Sequence, residues 1–137
     1  MSQRSLEEFG AYRKARELFD LVVADMNRVQ HEPLCFKLVS QQIGSADSIC
    51  ANIEEGHGRL SRAEYVRLLD FARGSARETR GRYLRMTCWL GEDVTNQRTA
   101  LAGEIIGILT ATIERLRSQP NPVTTGRIRE EVIEYDS

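Results

Sequence analysis

Ala51-Asn52-Ile53-Glu54-Glu55-Gly56-His57-Gly58-Arg59-Leu60-Ser61-Arg62-Ala63-Glu64-Tyr65 decides the fold, because one long amphipathic pattern ends inside it and another begins. Upstream, Leu38/Val39, Ile43, Ala46, Ile49/Cys50 and Ile53 recur every three or four residues, the step of one apolar face on an α-helix. Gly56 and Gly58 read as a helix stop, since the residue just past a helix commonly takes a left-handed φ that glycine adopts without steric cost. Ser61-Arg62-Ala63-Glu64 reads as a start: the serine hydroxyl accepts from a free backbone N–H and the glutamate reaches back. Tyr65, Leu68/Leu69, Ala72, Ala76, Thr79, Tyr83, Met86 and Leu90 carry the apolar step onward to Gly91. The stretch is therefore a tight turn between two helices, expected over about 35–57 and 61–90.

Outward from this turn, Phe9, Tyr12, Ala15, Phe19, Val22, Met26 and Val29 predict a helix over about 6–29, ended ahead of Pro33. Leu101, Ile105, Ile108/Leu109, Thr112 and Leu116 predict another over about 95–118. Ala102, Ile106, Ala111 and Ile113 widen its apolar stripe past half the circumference. Either this helix sits deeper than the others, or a spare face meets another subunit. In the second case Ile105, Ile106, Ile108, Leu109 and Ile113 are the candidate subunit interface. Short connections between long helices favour antiparallel neighbours, so the expected fold is an all-α, up-down-up-down four-helix bundle over residues 1–118. Pro120-Asn121-Pro122 breaks the last helix, and 119–137 is expected to be a polar tail. Gly74, Gly81, Gly103 and Gly107 fall inside helical patterns, where each costs about 1 kcal/mol against alanine. Close approach of a helix or a subunit is the expected reason.

Ser48-Ile49-Cys50-Ala51-Asn52-Ile53-Glu54-Glu55-Gly56, then Gly58-Arg59-Leu60-Ser61 and Glu64-Tyr65, resembles the signature of the bacterial four-helix bundle proteins encoded in intervening sequences of 23S ribosomal RNA genes. With Ala72-Arg73-Gly74-Ser75 and Glu78, the likeness extends over about residues 6–118. Asn52, Glu55, Gly56, Gly58, Arg59, Ser61 and Glu64 match the family's residue types, and Tyr65 replaces a phenylalanine. The resemblance implies a left-handed bundle assembled as a ring-shaped homopentamer, with no defined biochemical role. A related branch, the accessory variability determinant of diversity-generating retroelements, assists a reverse transcriptase and resembles a nucleic-acid-binding pentamer. The chain departs from the pattern at Cys50, where the family has proline, at Ile43-Gly44, where it commonly has two arginines, and at Asp47, a usually apolar position.

At 137 residues the chain is one domain with room for a single core. The N-terminal stretch is polar and lacks a signal region, and no apolar run approaches the roughly 18–20 residues a membrane span needs, so a cytoplasmic location without membrane partners is expected. Cys35, Cys50 and Cys88 are odd in number and widely spaced, and each falls in an apolar pattern, which predicts reduced core thiols. His31 and His57 have no ligand partner at helical spacing, so no metal site is expected. No nucleophile motif, phosphate loop or zinc motif occurs, which argues against an enzyme, a cofactor or a small-molecule substrate.

Charge is distributed unevenly. Residues 59–85 hold arginines 59, 62, 67, 73, 77, 80, 82 and 85 against Glu64, Asp70 and Glu78, in a chain whose net charge is −1. Arg73, Arg77 and Arg80 share a face, and Arg82 with Arg85 forms a second row in which Glu78 is placed to pair Arg82. Arg73, Arg77, Arg80 and Arg85 are the candidate nucleic-acid contacts, since guanidinium groups take phosphates bidentately. A solvated face or intersubunit pairing is the competing reading. Asn52 and Glu55 share a face as well, for a ligand or for holding the turn, with Glu55 set to pair Arg59. Together these features point to a non-enzymatic binding or scaffolding protein whose partner is itself. A nucleic-acid-binding accessory protein is the alternative.

Overall fold

Among the described residues, six helices and one 3-10 turn build the fold. The computed structural model describes residues 3–59 and 61–120. In chain order the helices are α1 (Gln3–Glu8), α2 (Gly10–Val29), α3 (Phe36–His57), α4 (Arg62–Arg85), α5 (Thr87–Leu90) and α6 (Glu92–Ser118), with the 3-10 turn at Pro33–Cys35. Among the described residues there is no strand. The expected tail lies outside the described residues from 121 onward.

The four long helices share one core. α3 packs against α2 and α4, and α6 packs against α4 and α2. Leu18, Val22 and Met26 of α2, Ile49 and Ile53 of α3, Leu69 and Tyr83 of α4, and Ile105, Leu109 and Ile113 of α6 are all closed to solvent. Burial of such side chains, at about 25 cal/mol per Å² of apolar surface, is the main force holding these helices together. Among the described residues no helix is long and apolar enough to cross a membrane.

Helix ends differ from the sequence expectation in ways that local chemistry explains. The first apolar pattern is split at Phe9, which is extended, and the Arg13 guanidinium donates to the carbonyls of Glu7 and Glu8. Those carbonyls lie at the end of α1, where the last carbonyls of a helix have no intrahelical partner. The third pattern also splits. α4 stops at Arg85, the Met86 amide donates back to Arg82 and Tyr83, and α5 follows as a separate short turn. Gly91, at φ 90° and ψ 158°, occupies a backbone region that is essentially glycine-only, and it lets α6 begin at Glu92 rather than near 95. Glu92 and Asp93 then sit at the positive end of the α6 dipole.

At the deciding turn, Ser61 caps α4 as expected, its Oγ accepting from the Glu64 amide at 3.4 Å. The glycines act differently from expectation. Gly58 has φ −84°, an ordinary right-handed value, and Gly56 lies inside α3. What Gly56 supplies is space: a Cβ there would stand 2.8 Å from Tyr65 Cδ1. Gly56→Ala should therefore destabilise the fold by about 1–3 kcal/mol through overpacking, outweighing the gain of about 1 kcal/mol in helix propensity. Urea denaturation checks this, and a more stable Gly56→Ala would refute the close-approach reading.

The α6 expectation is corrected. Ile105, Leu109 and Ile113 have no exposed surface and Ile106 almost none, so four of the five candidate interface residues belong to the chain's own core. Ile108 is half-buried, and its Cδ1 lies 3.6 Å from where a Gly10 Cβ would stand. The wide stripe thus reflects a helix gripped by both α2 and α4. The cysteine expectation is corrected as well: Cys35 and Cys50 are buried, but Cys88 is exposed.

Candidate functional site

A polar seam joins α3 to α4. It begins at Asn52, whose Nδ2 donates to the Ser48 carbonyl at 2.8 Å and to Ser48 Oγ at 3.0 Å. Ser75 Oγ also donates to Ser48 Oγ, at 3.0 Å. Thr79 Oγ1 donates to the Ser75 carbonyl at 2.8 Å, so Ser45 Oγ, 2.7 Å away, supplies the proton between those two hydroxyls. Gln42 Nε2 donates to the Thr79 carbonyl at 2.9 Å. Arg82 closes the chain: its Nη1 donates to Gln42 Oε1 at 2.8 Å, Ser45 Oγ at 3.0 Å and the Gln41 carbonyl at 3.3 Å.

The pattern behind the seam is legible once known. Gln42 and Ser45 are buried on α3, and Ser75, Thr79 and Arg82 repeat at helical spacing on α4, beside each helix's apolar stripe. Apolar periodicity does not register this polar row. Helical spacing predicts an Arg82–Glu78 pair on α4. Instead Arg82 is only 8% exposed and turns toward α3, and it forms no ion pair with Glu78. Burial first, and then the neighbouring Arg85 charge, hold its pKa below the ordinary arginine value, while Glu78 acts in the opposite direction. Arg82 Nε is buried without an acceptor among the described residues. Outside the seam lies an open groove of about 360 Å³, lined by Gln41, Gly44, Ser45 and Ser48 of α3 and Ser75, Glu78 and Arg82 of α4.

The other predicted residues are dispersed. Asn52 bonds within its own helix rather than across the turn. Glu55 pairs with Arg59, and Glu64 approaches Arg59 at 3.8 Å, so these three form one exposed ionic cluster around the turn. The arginine stripe is broken at its first member: Arg73 is largely buried, pairs with Asp70 at 2.7 Å and donates to Thr110 of α6 at 3.3 Å. Arg77 and Arg85 are exposed and Arg80 half-buried, and none of the three forms an ion pair among the described residues.

Two further polar features lie away from the groove. Asp25, buried in α2, accepts from Tyr83 of α4 and from Arg98 of α6. His57 is buried between the rings of Phe9, centroids 6.2 Å apart, and Tyr65, 6.0 Å. The Cys50 thiol is pushed up to about 11, by burial first and then by Glu54 and Asp47, so it stays protonated near neutral pH. No three potential metal ligands converge among the described residues.

Among the described residues, these features define an all-helical fold with a polar seam between α3 and α4. The chain belongs to the 23S rRNA-intervening sequence protein family, whose model matches residues 7–111. A crystal structure of a protein of unknown function from the S23 ribosomal protein family of Bacteroides thetaiotaomicron is similar in fold, with a TM-score of 0.72. It is 24% identical, and the match covers 76% of this chain and 98% of the other. No curated protein matches the chain.

Proposed function

We propose that the chain is a non-enzymatic binding and scaffolding module, cytoplasmic in setting, that works as a homo-oligomer, with the closed pentamer as the favoured form. In this reading the long helices run up-down-up-down as an antiparallel, left-handed four-helix bundle. The contacts of Ser45 with Thr79 and Arg82, Ser48 with Ser75 and Gly56 with Tyr65 support antiparallel α3 and α4, because the partner number falls as the α3 number rises.

The observation that supports self-association is a set of glycines that no packing among the described residues explains. A Cβ at Gly74, Gly103 or Gly107 would meet nothing within 4 Å. Each glycine nonetheless sits inside a helix, at about 1 kcal/mol against alanine. Close approach of a second chain gives these positions a use. Exposed apolar side chains add support, above all Leu34 at 75% and Phe36 at 80% exposure, since such groups on a surface often mark contacts. Ile105, Ile106, Leu109 and Ile113 belong to the core, so the assembly surface lies on other helix faces.

Light scattering at micromolar concentration tests the reading. A pentamer mass is expected, a dimer would refute only the ring of five, and a clean monomer would refute self-association. Alanine at Gly74, Gly103 and Gly107 should raise the helix stability of each chain while loosening the assembly. If it raises stability and leaves the assembly mass intact, the glycines are not contacts.

A nucleic-acid-binding accessory role is the second reading, favoured by Arg77, Arg80 and Arg85 on α4, which form no ion pair among the described residues. Affinity for RNA or DNA would then fall steeply with salt, because neutralised phosphates release counterions. Replacing Arg77 and Arg85 with glutamine should flatten that dependence. Absence of binding at low salt would remove this reading.

A further inference from the structure

We propose that the α3–α4 groove binds a single carboxylate group, held by the free edge of Arg82 and the hydroxyl of Ser48. The inference goes beyond the self-association reading and does not depend on it, because the groove lies within one chain.

The donors are what point to an oxyanion. All of the Arg82 hydrogen bonds leave from Nη1. Among the described residues Nε has no acceptor and no hydrogen bond leaves Nη2, so the Nε–Nη2 edge is uncommitted. That edge is one of the two forks by which a guanidinium grips a carboxylate bidentately. Ser48 Oγ already accepts from Asn52 and from Ser75, and its own proton has no acceptor among the described residues. Arg82 and Ser48 line the same groove, so it gathers uncommitted donors from both helices. Such donors are costly to leave unmade beneath a protein surface, more so when one carries charge. Gly44 leaves the α3 side open, since a Cβ there would meet nothing within 4 Å.

Glu78 selects the charge. It lies on the groove, exposed and with no ion pair among the described residues. One carboxylate beside one guanidinium leaves the site close to neutral, which admits a singly charged carboxylate and repels a doubly charged phosphate. Arg82 Nε is buried, so an incoming oxygen meets Nη2 and Ser48 first and takes Nε as Arg82 shifts.

The test follows the Arg82 Nε–Hε resonance by NMR in the full chain. The probes are acetate, the blocked peptide acetyl-Ala-Glu-Ala-amide, its glutamine counterpart and inorganic phosphate. Saturable movement in the millimolar range with acetate and the glutamate peptide, and none with the glutamine peptide, is expected. Tighter binding of the peptide assigns the group to a protein partner's acidic side chain, and tighter binding of acetate to a small molecule; both support the site. Glu78→Gln, on the surface, should tighten carboxylate binding by about 2–5-fold, the size of one partly screened like-charge contact. Ser48→Ala should weaken it, and Arg82→Lys, which keeps the charge but loses the fork, should abolish it. If Arg82→Lys fails to fold, Glu78→Gln and Ser48→Ala carry the test. No response to either carboxylate probe overturns the proposal, as do phosphate binding as tight as acetate and a Glu78→Gln variant that changes nothing.

Discussion

Asp25→Ala should cost about 3–5 kcal/mol of stability, the effect of leaving one member of a buried ion pair without its partner. Asp25 is 2% exposed and takes Arg98 in a two-point grip, Nε at 2.8 Å and Nη2 at 3.1 Å. Tyr83 donates a third bond at 2.6 Å. One carboxylate thereby ties together α2, α4 and α6, and its loss strands a guanidinium and a phenol in the interior. Tyr83→Phe removes a single bond to a charged group and should cost less, about 1.5–3 kcal/mol. Burial first, and then the hydrogen bond to Asp25, push the Tyr83 phenol above its ordinary value. A raised folded pKa means the native state keeps the proton after the unfolded chain has released it. This stabilisation is complete below about pH 10, where unfolded tyrosine titrates, and is lost as pH rises past it. Urea denaturation at fixed protein concentration, repeated across pH, checks both statements. An Asp25→Ala variant as stable as the parent would remove the cluster from the fold's energetics.

Leu109→Ala should cost about 2–5 kcal/mol, through lost transfer energy and the cavity left behind. Leu109 is closed to solvent on α6, whereas Ile108 beside it is half-buried. Ile108→Ala should therefore cost distinctly less. The pair separates the two readings the apolar stripe allowed. A core residue changes the denaturation midpoint of each chain whatever its concentration. A subunit contact acts through mass action, so its loss shows as a shift in the concentration dependence. A Leu109→Ala variant that altered only assembly would restore the apolar stripe of α6 as the interface.

The helical architecture was legible because apolar spacing and end signals agree over long stretches. The Ser61 cap, the Glu55–Arg59 pair and the closing role of Gly91 follow from contacts within a few residues, and such contacts depend on spacing alone. Breaks at Phe9 and Met86 were not legible, because the apolar step runs straight through both. The seam was missed for a related reason. A buried serine or threonine looks like a surface one until its partner is known, and Ser45 finds Thr79 and Arg82 more than thirty residues away.

By itself the sequence determined that this protein is helical, where its long helices lie, and which family it belongs to. These depend on periodicity and on a short run of matching residue types. The tertiary structure alone settles which apolar side of α6 is core, that Gly56 makes room for the Tyr65 ring, that Asp25 is locked by Arg98, and that Arg82 turns inward with its Nε lacking an acceptor among the described residues. Each of these depends on what a distant helix presents to that residue, and helical spacing shows which residues share a face without showing what that face meets.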